Sequence, residues 1–354
     1  MTTPEQLLPH FLHHCRTHPR MTPQDGLKFL HQSAFGCEHM VRSLPDAVDR
    51  IRREVATDPA PVGDEIEPLD GNYSRISLEY LNRGLSAERL AALFFLSAKT
   101  EPEALSALEQ ALSAAEKLAF SGLLPFDGPS FSLARRKWKQ QGYPSLHHSE
   151  EYRQAYRPAY RVISNQLIPY LPVLIRMDQL LASGGGLVAI EGGSASGKST
   201  LGALLEELYS CTLLHTDDFF LQPHQRTEAR LKEPGGNLDR ERFLAEVLLP
   251  ARKKESITYR RYDCRTGTLQ PPIPLQPTPL TVVEGAYSLH PELRGQYDLT
   301  VFLEISPQLQ RQRVQKRNTP DFARRFFQEW IPMENRYFDH FHIRDACDLV
   351  IPIE

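Results

Sequence analysis

Residues 187–201, LVAIEGGSASGKSTL, decide the fold of the second half of the chain. The four apolar residues 187–190 predict a short, buried strand of a parallel sheet. Residues 192–199 match the pattern G-x-x-x-x-G-K-[ST], and a helical pattern begins at Ser199. A strand before this pattern and a helix after it are the context in which the pattern forms a phosphate-binding loop, known as Walker A.

The chemistry of this loop predicts a nucleotide site. Its glycines allow consecutive backbone N–H groups to turn inward around an anion, and the N-terminus of the next helix adds partial positive charge. Lys198 can reach the outer phosphates, and the Ser199 hydroxyl can bind Mg²⁺. We therefore expect ATP and Mg²⁺ as cofactors. The expected ATP-binding residues are Gly192, Gly193, Ser194, Ala195, Ser196, Gly197, Lys198, Ser199 and Thr200.

The composition narrows the class of protein. The chain has 354 residues, more than one domain usually contains, so two domains are expected. A formal net charge of −3 gives no general attraction to nucleic acid or to an anionic membrane. The five cysteines are scattered without a CxxC pair, so neither a disulfide framework nor a zinc site is indicated. Residues 1–20 are too polar for a signal peptide, and we expect a cytoplasmic protein without membrane spans.

The periodicity of apolar residues divides the chain into two parts. Residues 1–182 predict a mainly α-helical N-terminal domain of unknown role, with a Pro- and acid-rich loop at 58–71. Residues 183–354 alternate short strands and helices, as in a parallel α/β sheet. The predicted strands are 187–191, 212–215, 280–284, 299–304 and 349–353, and helices are predicted to begin near Ser199, Asp239, Pro307 and Asp321. Five strands around the phosphate-binding loop predict an α/β P-loop kinase core.

Acidic residues follow two of the predicted strands. Asp217 and Asp218 come after the strand 212–215, and Glu284 ends the strand 280–284. Ligands of open α/β sheets bind beyond the carboxyl ends of the strands, so these carboxylates should face the phosphates. One such acid alone is typical of a helix cap or a structural salt bridge. Acids at two strand ends beside a phosphate-binding loop favour a functional role.

Six short segments together carry a resemblance to a known family. They are GGSASGKST, TDDFF, NLDRERF, YRRYD, VVEG and RQRVQKRN. Their order resembles the uridine kinase-like family, which includes uridine–cytidine kinases, ribosylnicotinamide kinases, phosphoribulokinase and type I pantothenate kinase. The resemblance covers residues 187–354, about half of the chain. Residues 327–333 and Tyr337 also look like the ribosylnicotinamide kinase segment that follows the lid.

The resemblance implies catalytic roles for the carboxylates. Asp217 matches the family's catalytic base, which accepts the proton of the substrate hydroxyl. Asp218 would assist the metal or orient that base. Glu284 matches the family acid near Mg²⁺, so Ser199, Glu284 and Asp218 are the expected metal residues.

The arginine-rich segment resembles the family's lid. Arg313 and Arg317 match the lid arginines, whose task is to neutralise charge on the transferred phosphoryl group. A solvated helix face is the ordinary explanation of such a segment, but its position after the fourth strand favours the lid. Asn318 stands where the family has an Asp.

Substrate residues are implied less specifically. Asp239 resembles the acid that holds substrate hydroxyls, and Tyr262 with Asp263 resembles the YD pair of the substrate pocket. Arg226 and Arg230 lie in a long segment that resembles no nucleoside pocket. They would bind an acidic or phosphorylated substrate, or else they are solvated side chains.

The sequence therefore predicts an ATP- and Mg²⁺-dependent kinase that phosphorylates a hydroxyl of a small metabolite. A nucleoside-like substrate leads, and a sugar phosphate or small hydroxy acid is the alternative. An ATP-sensing regulatory protein without phosphoryl transfer is an alternative of another class. A GTPase is disfavoured because no NKxD motif follows, and no nucleic-acid partner is expected. Whether the chain forms a homo-oligomer stays open.

The N-terminal half has polar clusters without a recognised motif. Lys28 and Gln32 are spaced i,i+4 on one helix face, and residues 147–149, HHS, precede several tyrosines. Both clusters are typical of a surface or of satisfied interior groups. Residues 36–39, GCEH, are where a second site would be sought first.

Overall fold

A computed structural model describes residues 4–37, 43–56, 66–98 and 103–354. The chain divides into two compact units, Met1–Leu171 and Pro172–Glu354. The glycine-rich segment indicates a boundary at 182/183, and the division lies about one helix earlier. Helix Leu171–Ala182 belongs almost entirely to the second unit. Among the described residues, no helix combines the length and the apolar character needed to cross a bilayer.

The first unit is mainly helical, as the sequence predicts. Its α-helices are α1 Pro4–Thr17, α2 Pro23–Phe35, α3 Leu44–Ala56, α4 Ala87–Leu96, α5 Ala104–Phe120, α6 Gly128–Gln140 and α7 Glu150–Tyr156. Helix α2 begins where the sequence places a cap followed by a proline. Thr22 donates its N–H and its hydroxyl to the Asp25 carboxylate at 3.0 and 2.8 Å, and these bonds fix the first turn.

The first unit also contains an antiparallel sheet that the sequence does not predict. Its order is β1 Ile66–Pro68, β2 Tyr73–Ser77 and β3 Tyr160–Ser164. Strand β1 starts inside the segment 58–71, whose composition predicts a loop. Tyr73 pairs with Ser164 and Ser77 with Tyr160, so the strands are held by partners far away in the sequence. Of the GCEH segment, Glu38 and His39 lie outside the described residues.

The second unit alternates strands and helices. Its α-helices are α8 Leu171–Ala182, α9 Lys198–Tyr209, α10 Glu228–Lys232, α11 Arg240–Phe243, α12 Leu249–Arg252, α13 Pro291–Arg294, α14 Pro307–Arg317, α15 Pro320–Arg325 and α16 Ile331–Phe341. Its strands are β4 Gly186–Gly192, β5 Thr212–His215, β6 Ile257–Tyr259, β7 Tyr262–Asp263, β8 Thr268–Leu269, β9 Ile273–Leu275, β10 Leu280–Glu284, β11 Leu299–Ile305 and β12 Leu349–Ile353. Wide helical turns at Leu244–Leu248 and Phe326–Trp330 continue α11 and α15.

Five of these strands form one parallel sheet, which confirms the predicted P-loop kinase core. The order is β12-β11-β4-β10-β5, with Val282 beside Val188 and Val301 beside Ile190. Strand β4 is central, and all of its residues after Gly186 are buried, which explains its continuous apolar sequence. The five predicted strands are therefore confirmed. Because β4 is central, the loop that follows it lies in the middle of the carboxyl edge.

Candidate active site

The phosphate-binding loop leaves β4 at Gly192 and enters α9 at Lys198. Gly192 has φ +146, and a Cβ at this position would lie 2.6 Å from the Leu303 carbonyl oxygen. Only glycine therefore lets the chain turn here so close to β11. The Lys198 ammonium folds back over the loop and donates to the carbonyls of Gly192 and Gly193 at 2.7 and 3.0 Å. These contacts hold the cation over the loop.

One loop side chain has an unused donor. The hydroxyl of Ser196 is buried and has no hydrogen-bond partner among the described residues. Buried hydroxyls in folded proteins almost always have a partner, so an orphan of this kind fits a loop that is completed by an oxygen-rich ligand. The loop thus suits a nucleotide phosphate in both its backbone shape and its polar side chains.

Ser199 and Glu284, two of the expected metal residues, lie side by side. The Ser199 hydroxyl donates to Oε1 of Glu284 at 2.9 Å, which joins the start of α9 to the end of β10. Burial tends to raise the pKa of Glu284, but hydrogen bonds from His215 and Ser199 and the charge of Lys198 outweigh it, so the pKa is lowered. A hydroxyl beside an ionised carboxylate offers the hard oxygen ligands that Mg²⁺ prefers. These residues fit a magnesium ion.

His215 is a site residue that the sequence analysis did not assign. Its Nδ1 lies 2.6 Å from Oε1 of Glu284, and this hydrogen bond raises the pKa of the imidazole. The contact follows from strand register, because Glu284 of β10 stands directly beside His215 of β5. The position of a histidine at the end of a strand, next to a strand that ends in glutamate, is the sequence signal that would have found it.

Asp217, the expected base, lies in the turn after β5 with its side chain exposed to solvent. Neighbouring atoms of the cleft remove part of its hydration and raise the pKa of the carboxyl group. Lys198 acts in the opposite direction, while Glu284 adds to the increase. Asp217 is thus an exposed residue within the electrostatic reach of Lys198 and Glu284.

Asp218 is engaged elsewhere. Its Oδ2 lies 3.1 Å from Nε of Arg261, and its backbone carbonyl accepts from Arg242 at 3.2 Å. Burial raises the pKa of Asp218, and Arg261 partly offsets this. The structure thus directs Asp218 toward the YRRYD segment and gives it no direct contact with Ser199 or Glu284 among the described hydrogen bonds.

The expected substrate acid, Asp239, is buried at the N-terminus of α11. It accepts from the N–H and from Nε of Arg242 at 3.3 and 3.2 Å. The same arginine donates to the Arg260 carbonyl at 2.7 Å and stacks over Phe219 at 4.2 Å. Arg242 therefore joins three of the motif segments. It was missed because nothing in its spacing distinguishes it from the other arginines of NLDRERF.

The other expected substrate residues have varied surroundings. Tyr262 is buried, and the Asp263 carboxylate caps the following turn by accepting from the N–H of Arg265 at 2.8 Å. Arg226 is exposed. The guanidinium of Arg230 donates to the carbonyls of Gly236 and Leu238, both at 2.9 Å, and to both oxygens of Glu241. Its donors thus hold residues 236–241 in place.

Helix α14, the expected lid, runs along the loop. Arg313 donates to the Ala195 carbonyl at 3.3 Å, and Gln310 donates to the Ser194 carbonyl at 2.9 Å. The guanidinium of Arg317 instead lies over the ring of Phe326, 5.4 Å from its centre. The structure therefore brings one of the two lid arginines to the loop.

Glu334 is a second residue that the sequence analysis did not assign. It lies on α16, and its carboxylate accepts from the N–H of Ser194 at 2.8 Å and from the Ser194 hydroxyl at 2.6 Å. Burial raises the pKa of this carboxyl group, and Lys198 partly opposes the increase. The backbone N–H of Ser194, a donor of the phosphate-binding loop, is thus already bonded to a carboxylate. Ser194 and Glu334 are 140 positions apart in the sequence.

A cavity of about 790 Å³ opens beside the loop. It touches the loop at Gly193 and is lined by aromatic and polar side chains, including Phe302, Arg311, Phe338 and His342. Asp217 and Glu284 are not among its lining residues. The cavity therefore lies beside α14, the expected lid, whereas Asp217 and Glu284 lie at the ends of β5 and β10.

No protein-family model matches the chain. A phosphoribulokinase from Synechocystis is 29% identical over 131 residues, which cover 35% of this chain and 39% of that protein. The chain therefore matches well under half the length of this curated relative.

Solved kinase structures also resemble part of the chain. A possible uridine kinase from Bacillus stearothermophilus is 20% identical, with a TM-score of 0.38, and covers 51% of this chain and 99% of that one. A shikimate kinase from Bacteroides thetaiotaomicron is 14% identical, with a TM-score of 0.27, and covers 48% of this chain and 86% of that one. The fold of the second unit is assigned from its own strand order and phosphate-binding loop, which form a P-loop kinase core.

Proposed function

We propose that the second unit is an ATP- and Mg²⁺-dependent kinase that transfers the γ-phosphate to a hydroxyl of a small metabolite. The observation that supports this proposal best is the position of Asp217. It is an exposed residue at the sheet edge that also carries Lys198, Ser199 and Glu284, and it interacts electrostatically with Lys198 and Glu284. A protein that only senses ATP has no need of an accessible acid at this point, whereas an alcohol acceptor requires one.

In this proposal the chain's own residues divide the work. The loop amides and Lys198 hold the β- and γ-phosphates, and Ser199 with Glu284 holds the metal. Bound Mg²⁺ would supply positive charge against the phosphate oxygens. Arg313, already at the Ala195 carbonyl, would turn toward the transferred group. The substrate oxygen then bonds to the γ-phosphorus as the bond to ADP breaks, and the hydroxyl proton passes to Asp217.

The cavity beside Gly193 would receive the nucleobase. Its volume of about 790 Å³ exceeds the need of one base, and its aromatic residues Phe302 and Phe338 offer apolar surface. Since Asp217 is not in its lining, the acceptor would enter from the other side of the loop. The ADP portion of the nucleotide and the acceptor hydroxyl would thus lie on opposite sides of the γ-phosphate, as an in-line transfer needs.

The acceptor is expected to be nucleoside-like, with Asp239 and Tyr262 near its hydroxyls. The similarity to a phosphoribulokinase supports the alternative, a phosphorylated sugar. For such a substrate, the exposed Arg226 is an available cation, since Arg230 is paired with Glu241 and Arg261 is paired with Asp218. A small molecule, rather than nucleic acid, is the proposed partner in both cases.

The test is release of ADP from Mg·ATP in the presence of nucleosides, sugars, sugar phosphates and hydroxy acids. We expect one chemical class to stimulate release, and Asp217→Asn to abolish the stimulation. ATP that binds tightly but is not consumed with any acceptor would favour the alternative, an ATP-sensing regulator. Stimulation that persists in Asp217→Asn would contradict the assigned base.

A further inference from the structure

The first unit contains a cavity of about 670 Å³ whose walls carry an excess of positive charge. Its cationic side chains outnumber its carboxylates. The cations are Lys28, Arg50, Arg53, Arg153 and Arg161, and the carboxylates are Asp46 and Glu54. These residues come from α2, α3, α7 and β3, so the charge is concentrated by the fold and not by a single basic run in the sequence.

One of the two carboxylates is shared by two of these cations. Glu54 pairs with Arg50 at 3.1 Å and with Arg161 at 2.9 Å. One carboxylate cannot neutralise two guanidinium groups, and Asp46 is bound by the Ser43 hydroxyl at 2.7 Å. A cluster that serves only to stabilise the fold would normally pair its buried charges, because an unpaired one is costly to desolvate. Arg153 is paired with Glu150 at 2.9 Å. Since Lys28 and Arg53 have no carboxylate partner among the described ion pairs, the cavity still has unused positive charge.

Arg161 shows this shortage directly. Its side chain is only 9% exposed, and its Nη1 donates to Glu54 and to the Tyr160 carbonyl, both at 2.9 Å. Its Nη2 is buried and finds no hydrogen-bond partner among the described residues. An unsatisfied buried donor costs about 1–3 kcal/mol, more when it is charged. An anion in the cavity would remove this cost.

Lys28 supplies a second buried basic group. It is 6% exposed, and its ammonium donates to the Leu146 carbonyl at 2.8 Å. Burial, and then the charge of Arg75, lowers the pKa of Lys28 to about 7. Asp25, an acid whose charge favours the protonated form of Lys28, accepts instead from His148 and from the N–H and hydroxyl of Ser149. Lys28 thus has a neutral carbonyl as its partner where a charged one would bind it better.

We propose that this cavity binds a small anionic metabolite through its phosphate or carboxylate oxygens. Arg161 and Lys28 contact the anion from the floor of the cavity, and Arg50 and Arg53 of α3 cover it. Phe94 and Tyr160, which also line the cavity, provide an aromatic wall for the carbon skeleton. The site is distinct from the phosphate-binding loop and does not depend on the proposed kinase activity.

The test uses the full chain with Lys198→Ala, which removes the main cation of the phosphate-binding loop. Inorganic pyrophosphate and citrate are titrated separately by calorimetry, so that phosphate and carboxylate chemistry are distinguished. We expect at least one probe to bind with one-to-one stoichiometry. Adding Arg161→Gln should weaken that binding about tenfold or more, because it removes a buried charged donor.

Two further variants keep the test decisive. Arg50→Gln with Arg53→Gln changes only exposed positions of α3, so it should fold and still weaken binding if Arg161→Gln fails to fold. Arg136→Gln, an exposed position of α6 outside the cavity, is the matched control and should leave binding unchanged. Absence of binding by both probes, or equal weakening in the Arg136→Gln control, would overturn the proposal.

Discussion

The hydroxyl of Ser199 donates to Oε1 of Glu284 at 2.9 Å, so the start of α9 and the end of β10 meet at one carboxylate oxygen. His215 bonds to the same oxygen at 2.6 Å. The bond from His215 keeps Glu284 ionised and oriented, which is how the partners of metal residues commonly act. The three residues are therefore coupled through one oxygen atom. If they hold Mg²⁺, changing any of them should change the Mg²⁺ concentration that the activity requires.

Glu284→Gln should raise the Mg²⁺ concentration needed for half-maximal turnover by about 10–100-fold, because the amide lacks the negative charge that the metal requires. His215→Gln should cause a smaller increase, since it removes the partner and keeps the carboxylate. Turnover measured against Mg²⁺ concentration at saturating ATP checks both. Glu207→Gln, an exposed position on α9, is the control. An unchanged Mg²⁺ requirement in Glu284→Gln would place the metal elsewhere.

Glu334 predicts a gain of function. Its carboxylate accepts two hydrogen bonds from Ser194 of the phosphate-binding loop, and negative charge at this point opposes the approach of nucleotide phosphates. Glu334→Gln should tighten Mg·ATP binding by roughly three- to tenfold, which corresponds to about 1 kcal/mol of charge repulsion. Equilibrium binding of a fluorescent ATP analogue measures the change. Glu329→Gln, an exposed acid that pairs with Arg325, should have no effect. Weaker binding in Glu334→Gln would mean that the carboxylate supports the loop.

Glu191 makes the stability of the second unit depend on pH. It is fully buried below the loop and accepts from the N–H groups of Gly192 and Leu289 and from the Tyr337 hydroxyl. Burial raises the pKa of Glu191 from 4.5 to about 7. Because the folded pKa is the higher one, this group's stabilising contribution is complete below about pH 4.5 and is lost as the pH rises through about 7.

The expected loss of unfolding free energy between pH 5 and pH 8 is at most about 3 kcal/mol, from about 1.4 kcal/mol for each pH unit between the two pKa values. Glu191→Gln stays neutral and should flatten this slope. Urea unfolding followed by Trp330 fluorescence, in a Trp138→Phe background that leaves one tryptophan, makes the measurement specific to the second unit. An equal slope in wild type and Glu191→Gln would assign the pH dependence to other groups.

The sequence predicts the second unit well because its signals are local. Each strand of the parallel sheet is a short apolar run that ends in polar or glycine residues, as 187–191 and 280–284 show. The contacts that it could not predict join distant positions. Ser194 and Glu334 are 140 positions apart, and nothing in either neighbourhood indicates the other. The sheet of the first unit is hidden for the same reason, since Tyr73 pairs with Ser164.

The two neighbouring acids after β5 can be tested separately for the role of the catalytic base. The family resemblance hardly distinguishes them, but the structure gives them different surroundings. Asp217 is exposed, whereas Asp218 is paired with Arg261 at 3.1 Å. Asp217→Asn should lower kcat by about 10²–10⁴-fold while Mg·ATP still binds, as expected for loss of a general base. Asp218→Asn should act mainly on the KM of the acceptor, because it releases Arg261 from its pair. Steady-state kinetics with the best acceptor, and equilibrium binding of Mg·ATP, measure the two effects in parallel. If Asp218→Asn instead abolishes kcat and Asp217→Asn leaves it nearly intact, the base is Asp218, and its pair with Arg261 must open when the substrate binds.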